Sequence, residues 1–147
     1  MKMQLKLMLL LFGVSFITLM GCRKHDRCEV TIIGTNLAVA KPGTLTGTFT
    51  ATGALQTSGT HVMVVEPVGA DSIYCTWTLT APKGTIIILQ NCSTTTMTGI
   101  WNIISGTGAY TFLKGKGTLT MSFPPDPIVP PGALGVETMP GVIWWHS

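Results

Sequence analysis

The sequence predicts an all-β fold: a small antiparallel barrel of about eight strands, with a β-sandwich as the alternative arrangement. Three observations predict it. Past the N-terminal segment, no long stretch repeats apolar residues at helical spacing, whereas several short ones alternate apolar and polar side chains. Gly- and Pro-rich breaks separate these short segments, as turns separate the strands of a barrel or sandwich. Charged residues make up only 10% of the 147 residues, and Thr, Ser and Asn supply the polarity instead. Threonine's branched Cβ suits a pleated strand.

In chain order, the expected parts are a signal peptide (residues 1–21), a short stalk (22–28) and a β domain (29–147). Lys2 and Lys6 form a basic start, and no charge follows until Arg23. The run 7–22 is short for a retained span, which needs about 20 apolar residues. A cleaved export signal is therefore expected. Its end, Leu19-Met20-Gly21-Cys22, resembles the lipobox of bacterial lipoproteins. That resemblance implies a diacylglycerol on the Cys22 thiol, cleavage just before it, and acylation of the new N-terminus. Two or more acyl chains anchor stably where one does not. The expected location is the bacterial cell envelope, tethered to a membrane outside the cytoplasm. Arg23, Lys24 and Arg27 would then lie beside the headgroups, adding about 1 kcal/mol each near an anionic surface. Without lipidation, Cys22 and Cys28 are close enough in sequence to bridge; with it, Cys28 is the odd cysteine.

The first strand is expected at 29–33. The clearest alternation follows at 44–52, where Thr44, Thr46, Thr48, Thr50 and Thr52 enclose Leu45, Gly47, Phe49 and Ala51. Further strands are expected at 61–66, 73–81, 85–92, 97–105, 117–123 and 142–145. Gly47, Gly99 and Gly117 fall in or at the edge of strands, where glycine marks bulges and sharp bends. Residues 124–131 hold five prolines and must form an irregular loop. Of Trp144 and Trp145, one is expected in the core and the other at a barrel end.

Ala81-Pro82-Lys83-Gly84-Thr85 is a hairpin signal. With Lys83 and Gly84 as the loop residues, Leu79 faces Ile88, Trp77 faces Gln90, and Cys75 faces Cys92. A Cys75–Cys92 disulfide is the expectation in an oxidising envelope. A pair of buried free thiols is the alternative.

Residues 99–119 place Trp101, Gly106, Gly108, Tyr110, Leu113 and Gly117 in order, and residues 45–53 read Leu-Thr-Gly-Thr-Phe-Thr-Ala-Thr-Gly. Together these segments resemble the allene-oxide-cyclase-like and dirigent-like β-barrel group. The resemblance spans about residues 44–123. It implies an eight-stranded antiparallel barrel with an apolar interior. Plant members of the group steer cyclisation or coupling of apolar molecules; the sequence carries no acid–base constellation to match.

Other chemistry is weakly signalled. From Glu29 onward, four basic residues (Lys41, Lys83, Lys114, Lys116) meet five acidic ones (Glu29, Glu66, Asp71, Asp126, Glu137), so no basic patch suits nucleic acid. His25, His61 and His146 lack ligand spacing, and no metal site or cofactor is expected. Gly106-x-Gly108 lacks the helix and Lys-Ser/Thr of a phosphate loop and reads as a turn. His61 and Glu66 share a strand at an offset that puts them on opposite faces, and both are expected exposed. No catalytic residue is assigned. The expected function is a non-enzymatic envelope lipoprotein, binding a small apolar ligand or an envelope component. The alternatives are a cyclase- or isomerase-like enzyme with Glu66 as a lone acid/base, and a structural or adhesion protein with a Thr-rich surface.

Overall fold

The computed structural model describes residues 26–146. The expected signal peptide, the lipobox cysteine Cys22 and most of the stalk lie outside the described residues. Eight strands follow one another: β1 (Cys28–Lys41), β2 (Thr44–Gly53), β3 (Thr57–Pro67), β4 (Ser72–Ala81), β5 (Gly84–Ser93), β6 (Thr98–Gly106), β7 (Leu113–Ser122) and β8 (Gly135–Trp145). Each pairs antiparallel with the next, and β1 pairs with β8, so the sheet closes into a barrel. Closure removes the exposed edges that an open sheet would carry.

Alternation explains which face of each strand turns inward. In β2, Phe49 and Ala51 are buried while Thr48, Thr50 and Thr52 are exposed. In β4, Cys75, Trp77 and Leu79 point in and Tyr74 and Thr80 point out. An apolar interior and a threonine-rich wall reverse the pattern of a bilayer-spanning barrel, whose lipid face is apolar and whose lumen is polar.

The interior is filled by pairing the largest side chains with the smallest. A Cβ on Gly34 would collide with the Trp77 ring, so β1 carries no side chain where the indole crosses the barrel. Trp101 is accommodated by Gly117 and Gly141, partners on β7 and β8. Both indoles are fully buried. Small barrels commonly fill their interior by alternating large and small residues in this way.

Two differences from the sequence reading concern boundaries. β8 begins at Gly135 rather than near Val142. Pro140 interrupts the apparent strand pattern, yet it sits within β8 and opposite Thr31 of β1. Its lost amide leaves a gap in the β7–β8 ladder, and its carbonyl accepts the Trp101 Nε1–H at 3.1 Å. β1 likewise runs on to Lys41, with register shifts after Asn36 and Val39.

The barrel ends differ. At the stalk end, where β1 begins, the loops are short, and one contains a 3-10 turn at Gly108–Tyr110. Leu55, Tyr110 and Leu113 bury there against Ile143. The other end is crossed by a strap, residues 123–134. Val129 and Ala133 form a small apolar cluster with Val136, and the Leu134 amide donates to the Asn36 carbonyl at 2.8 Å.

Candidate functional site

A cluster of buried polar and sulfur side chains lies inside the strap end. It is assembled by alternation on four strands: Asn36 from β1, Cys75 from β4, Gln90 and Cys92 from β5, and Glu137 with Met139 from β8. Asn36, Gln90 and Glu137 are all at most 3% exposed. Gln90 Nε2 donates to Glu137 Oε2 at 2.9 Å and lies 3.1 Å from Met139 Sδ. The Cys92 thiol faces Gln90 Oε1 at 4.0 Å.

Burial dominates the electrostatics. It disfavours the carboxylate and pushes the Glu137 pKa up to about 7, although hydrogen bonds from Gln90 and Asn36 pull the other way. Glu137 is therefore poised near half-protonation at neutral pH. The Cys75 thiol is pushed well above its usual range by its hydrogen bond with Cys92, by burial, and by the nearby charges of Cys92 and Glu137. Cys75 is an unreactive neutral thiol, since only the thiolate is nucleophilic.

A second buried polar group is His61. Its ring stacks on Trp77 with centroids 4.2 Å apart and planes at 28°. Its Nε2 lies 3.2 Å from the Thr35 carbonyl. Burial lowers its pKa against the opposing effect of that carbonyl and so favours the neutral imidazole. Its Nδ1 has no protein partner, nor do Asn36 Oδ1 and Trp77 Nε1.

Several sequence expectations change here. His61 is buried, not exposed, because it continues an inward series with Met63 and Val65; Gly47 leaves the space its ring occupies. Glu66 is exposed as expected, so the lone acid/base of the enzyme alternative does not enter the interior. The hairpin turns on Pro82 and Lys83, with Ala81 facing Gly84. This moves the register by two residues. Cys75 then faces Gln90 and Cys92 faces Ile73, so the two cysteines share the inner face as diagonal neighbours. They are free thiols, the alternative weighed above, and not the expected disulfide. The physical cause is Gly84, drawn into the ladder at φ 145° where the Thr107 carbonyl approaches too closely for a side chain.

Glu137 was the residue hardest to see. Its signal is the alternation Gly135, Glu137, Met139, Gly141, Ile143, which Pro140 masks. The Trp144–Trp145 expectation fits: Trp145 packs on the core, while Trp144 lies at the barrel end with Arg27 5.2 Å from its ring centre. Among the described residues, no group of three His, Cys, Asp or Glu gathers as metal ligands would.

A concavity on the outer wall lies at β6–β7–β8–β1. It is a groove of about 690 Å³ lined by Ile100, Pro140 and Val142, with Glu29 and Lys116 on its borders. It lies over the ladder gap at Pro140.

Comparison with protein-family models, with curated proteins and with solved structures found no match to this chain.

Proposed function

We propose that this protein is a lipid-anchored envelope lipoprotein whose barrel is a packed, non-enzymatic binding module. Its eight-stranded closed antiparallel barrel supports membership of the allene-oxide-cyclase-like and dirigent-like group. The observation that carries the non-enzymatic reading is the filled interior, where Trp77, Trp101, Ile88 and Leu79 are fully buried. A barrel that encloses a ligand keeps an open cavity, and here side chains fill the interior. Binding of an apolar ligand or envelope component therefore falls to the outer groove beside Ile100, Pro140 and Val142.

The anchor is tested by labelling cells with radioactive palmitate. Label should enter the wild-type protein and not Cys22→Ser. Equal labelling of both, or a Cys22–Cys28 bridge in the mature wild type, sinks the anchor. The groove is tested by native mass spectrometry of envelope-purified protein. A bound apolar component should be present in the wild type and lost from Ile100→Asp; a component retained by the variant places binding elsewhere.

An enzymatic reading is favoured by one observation only, the buried carboxyl of Glu137 with a pKa of about 7. Its partners Gln90 and Asn36 are neutral amides, and it is 3% exposed. As the barrel stands, the group can exchange a proton but cannot reach a substrate.

A further inference from the structure

We infer that the stalk end of the barrel is a docking surface for a membrane carrying anionic headgroups. This inference rests on the anchored reading, because the anchor decides which end faces the bilayer. β1 begins at Cys28 on that end. Five residues separate Cys28 from Cys22, so the tether spans at most about 20 Å even when fully extended. A lipid on Cys22 would hold this end, and not the strap end, against the headgroups.

The surface suits that position. Phe112 is 61% exposed in the turn just before β7. Trp144 and Trp145 are half-buried at the end of β8. Aromatic residues at the edge of a protein prefer the headgroup level, where one side of the ring is apolar and the other wet. Beside them, Leu55, Tyr110 and Trp145 line a depression of about 560 Å³, with Lys83 among its lining residues. Such a hollow could admit part of a lipid.

Charge is distributed along the barrel axis in the same sense. Arg27, Lys83 and Lys114 lie at the stalk end, with Asp26 and Glu29 as its acids, so bases exceed acids by one. Lys116 lies further along β7. At the strap end the balance reverses among the described residues: the exposed acids Glu66, Asp71 and Asp126, above the buried Glu137, face one base, Lys41. A negatively charged bilayer attracts the first end and repels the second. Tethering raises the effective concentration of this weak surface, so aromatic and basic contacts too weak to bind alone can fix the orientation.

The test uses a domain of residues 26–147 lacking the anchor, so that docking is read separately from lipidation. That domain holds all eight strands and the whole core. Sedimentation with vesicles of phosphatidylethanolamine and phosphatidylglycerol should show binding that vesicles of phosphatidylcholine do not. Combined Lys83→Glu and Lys114→Glu should weaken it at least about fivefold, as should Phe112→Ser, with unchanged circular dichroism. Lys41→Glu, at the strap end, should leave it unaltered. Absence of binding to the anionic vesicles, or equal weakening by Lys41→Glu, overturns the inference while leaving palmitate labelling as the separate test of the anchor. A concentration-dependent dimer abolished by Phe112→Ser would also overturn it, assigning the surface to a second copy of the chain.

Discussion

The two ends of this barrel are closed by different chemistry. The stalk end is closed by Leu55, Tyr110, Leu113 and Ile143, which turn carbon toward carbon. At the strap end, Asn36, Gln90 and Glu137 lie inside the barrel beneath a proline-rich strap. Apolar closure is insensitive to pH and tolerates imperfect geometry. A buried carboxyl must keep its proton or lose stability, and its amide partners must stay aligned. One barrel thus has one end set by burial and the other set by protonation.

The contrast is broken most severely at the apolar end. Leu113 is fully buried, so Leu113→Ala should cost about 2–5 kcal/mol. Urea unfolding should show the loss at every pH from 5 to 8, because no carboxyl or imidazole is among the side chains closing that end. A cost that changed markedly with pH would show that the two ends are coupled through the core.

Glu137→Gln should sharpen the contrast. The folded pKa of about 7 stands above the ordinary 4.5. A raised folded pKa means that the group's stabilisation is complete below 4.5 and is lost as pH rises through 7. The loss is about 3 kcal/mol over that window. His61 acts in the opposite sense: its pKa is lowered from 6.5, so its contribution is complete above 6.5 and fades as pH falls below it. The two groups therefore oppose each other as pH falls below 6.5 in the wild type. Glu137→Gln keeps an acceptor for Gln90 and removes the carboxyl's titration. It should be more stable than the wild type at pH 8 and should now lose stability on acidification through His61 alone. Parallel stability curves for the two proteins would disprove the role given to Glu137.

Alternation made the strands legible because a period of two records the inner and outer faces directly. It placed the threonine wall of β2. The misread features share a physical cause: a glycine or proline whose role depends on a neighbouring strand. Gly84 looked like a turn residue, but the nearby Thr107 carbonyl draws it into the ladder, and the cysteine register moved with it. The last strand is expected only at 142–145, yet it starts at Gly135 and runs through Pro140, whose carbonyl Trp101 takes up from within. His61 looked like a surface residue because its space is supplied by Gly47, on another strand. The buried cluster was hidden for the same reason, since Asn36, Gln90 and Glu137 meet only after the barrel closes.

The smallest expected effect concerns the strap itself. Within it, the Ile128 amide donates to Asp126 Oδ1 at 3.1 Å, and the Val129 amide to the Asp126 carbonyl at 3.0 Å. The side-chain contact fixes a turn at an exposed site, so Asp126→Ala should cost about 0.5–1 kcal/mol. The loss should be local. Hydrogen exchange should quicken at Ile128, Val129 and Leu134, while Ile32 and Ile143 keep their protection, because loops open with smaller free energies than the barrel ladder. Leu134 is the informative position: its amide ties the strap to the Asn36 carbonyl on the strand that also supplies the Asn36 side chain to Glu137. If a loosened strap admits water, burial of Glu137 weakens and its pKa falls from about 7 toward the ordinary range. Carboxyl titration of the variant by NMR should detect that fall. Faster strap exchange with an unmoved Glu137 pKa would mean that the barrel wall alone, and not the strap, keeps the carboxyl dry.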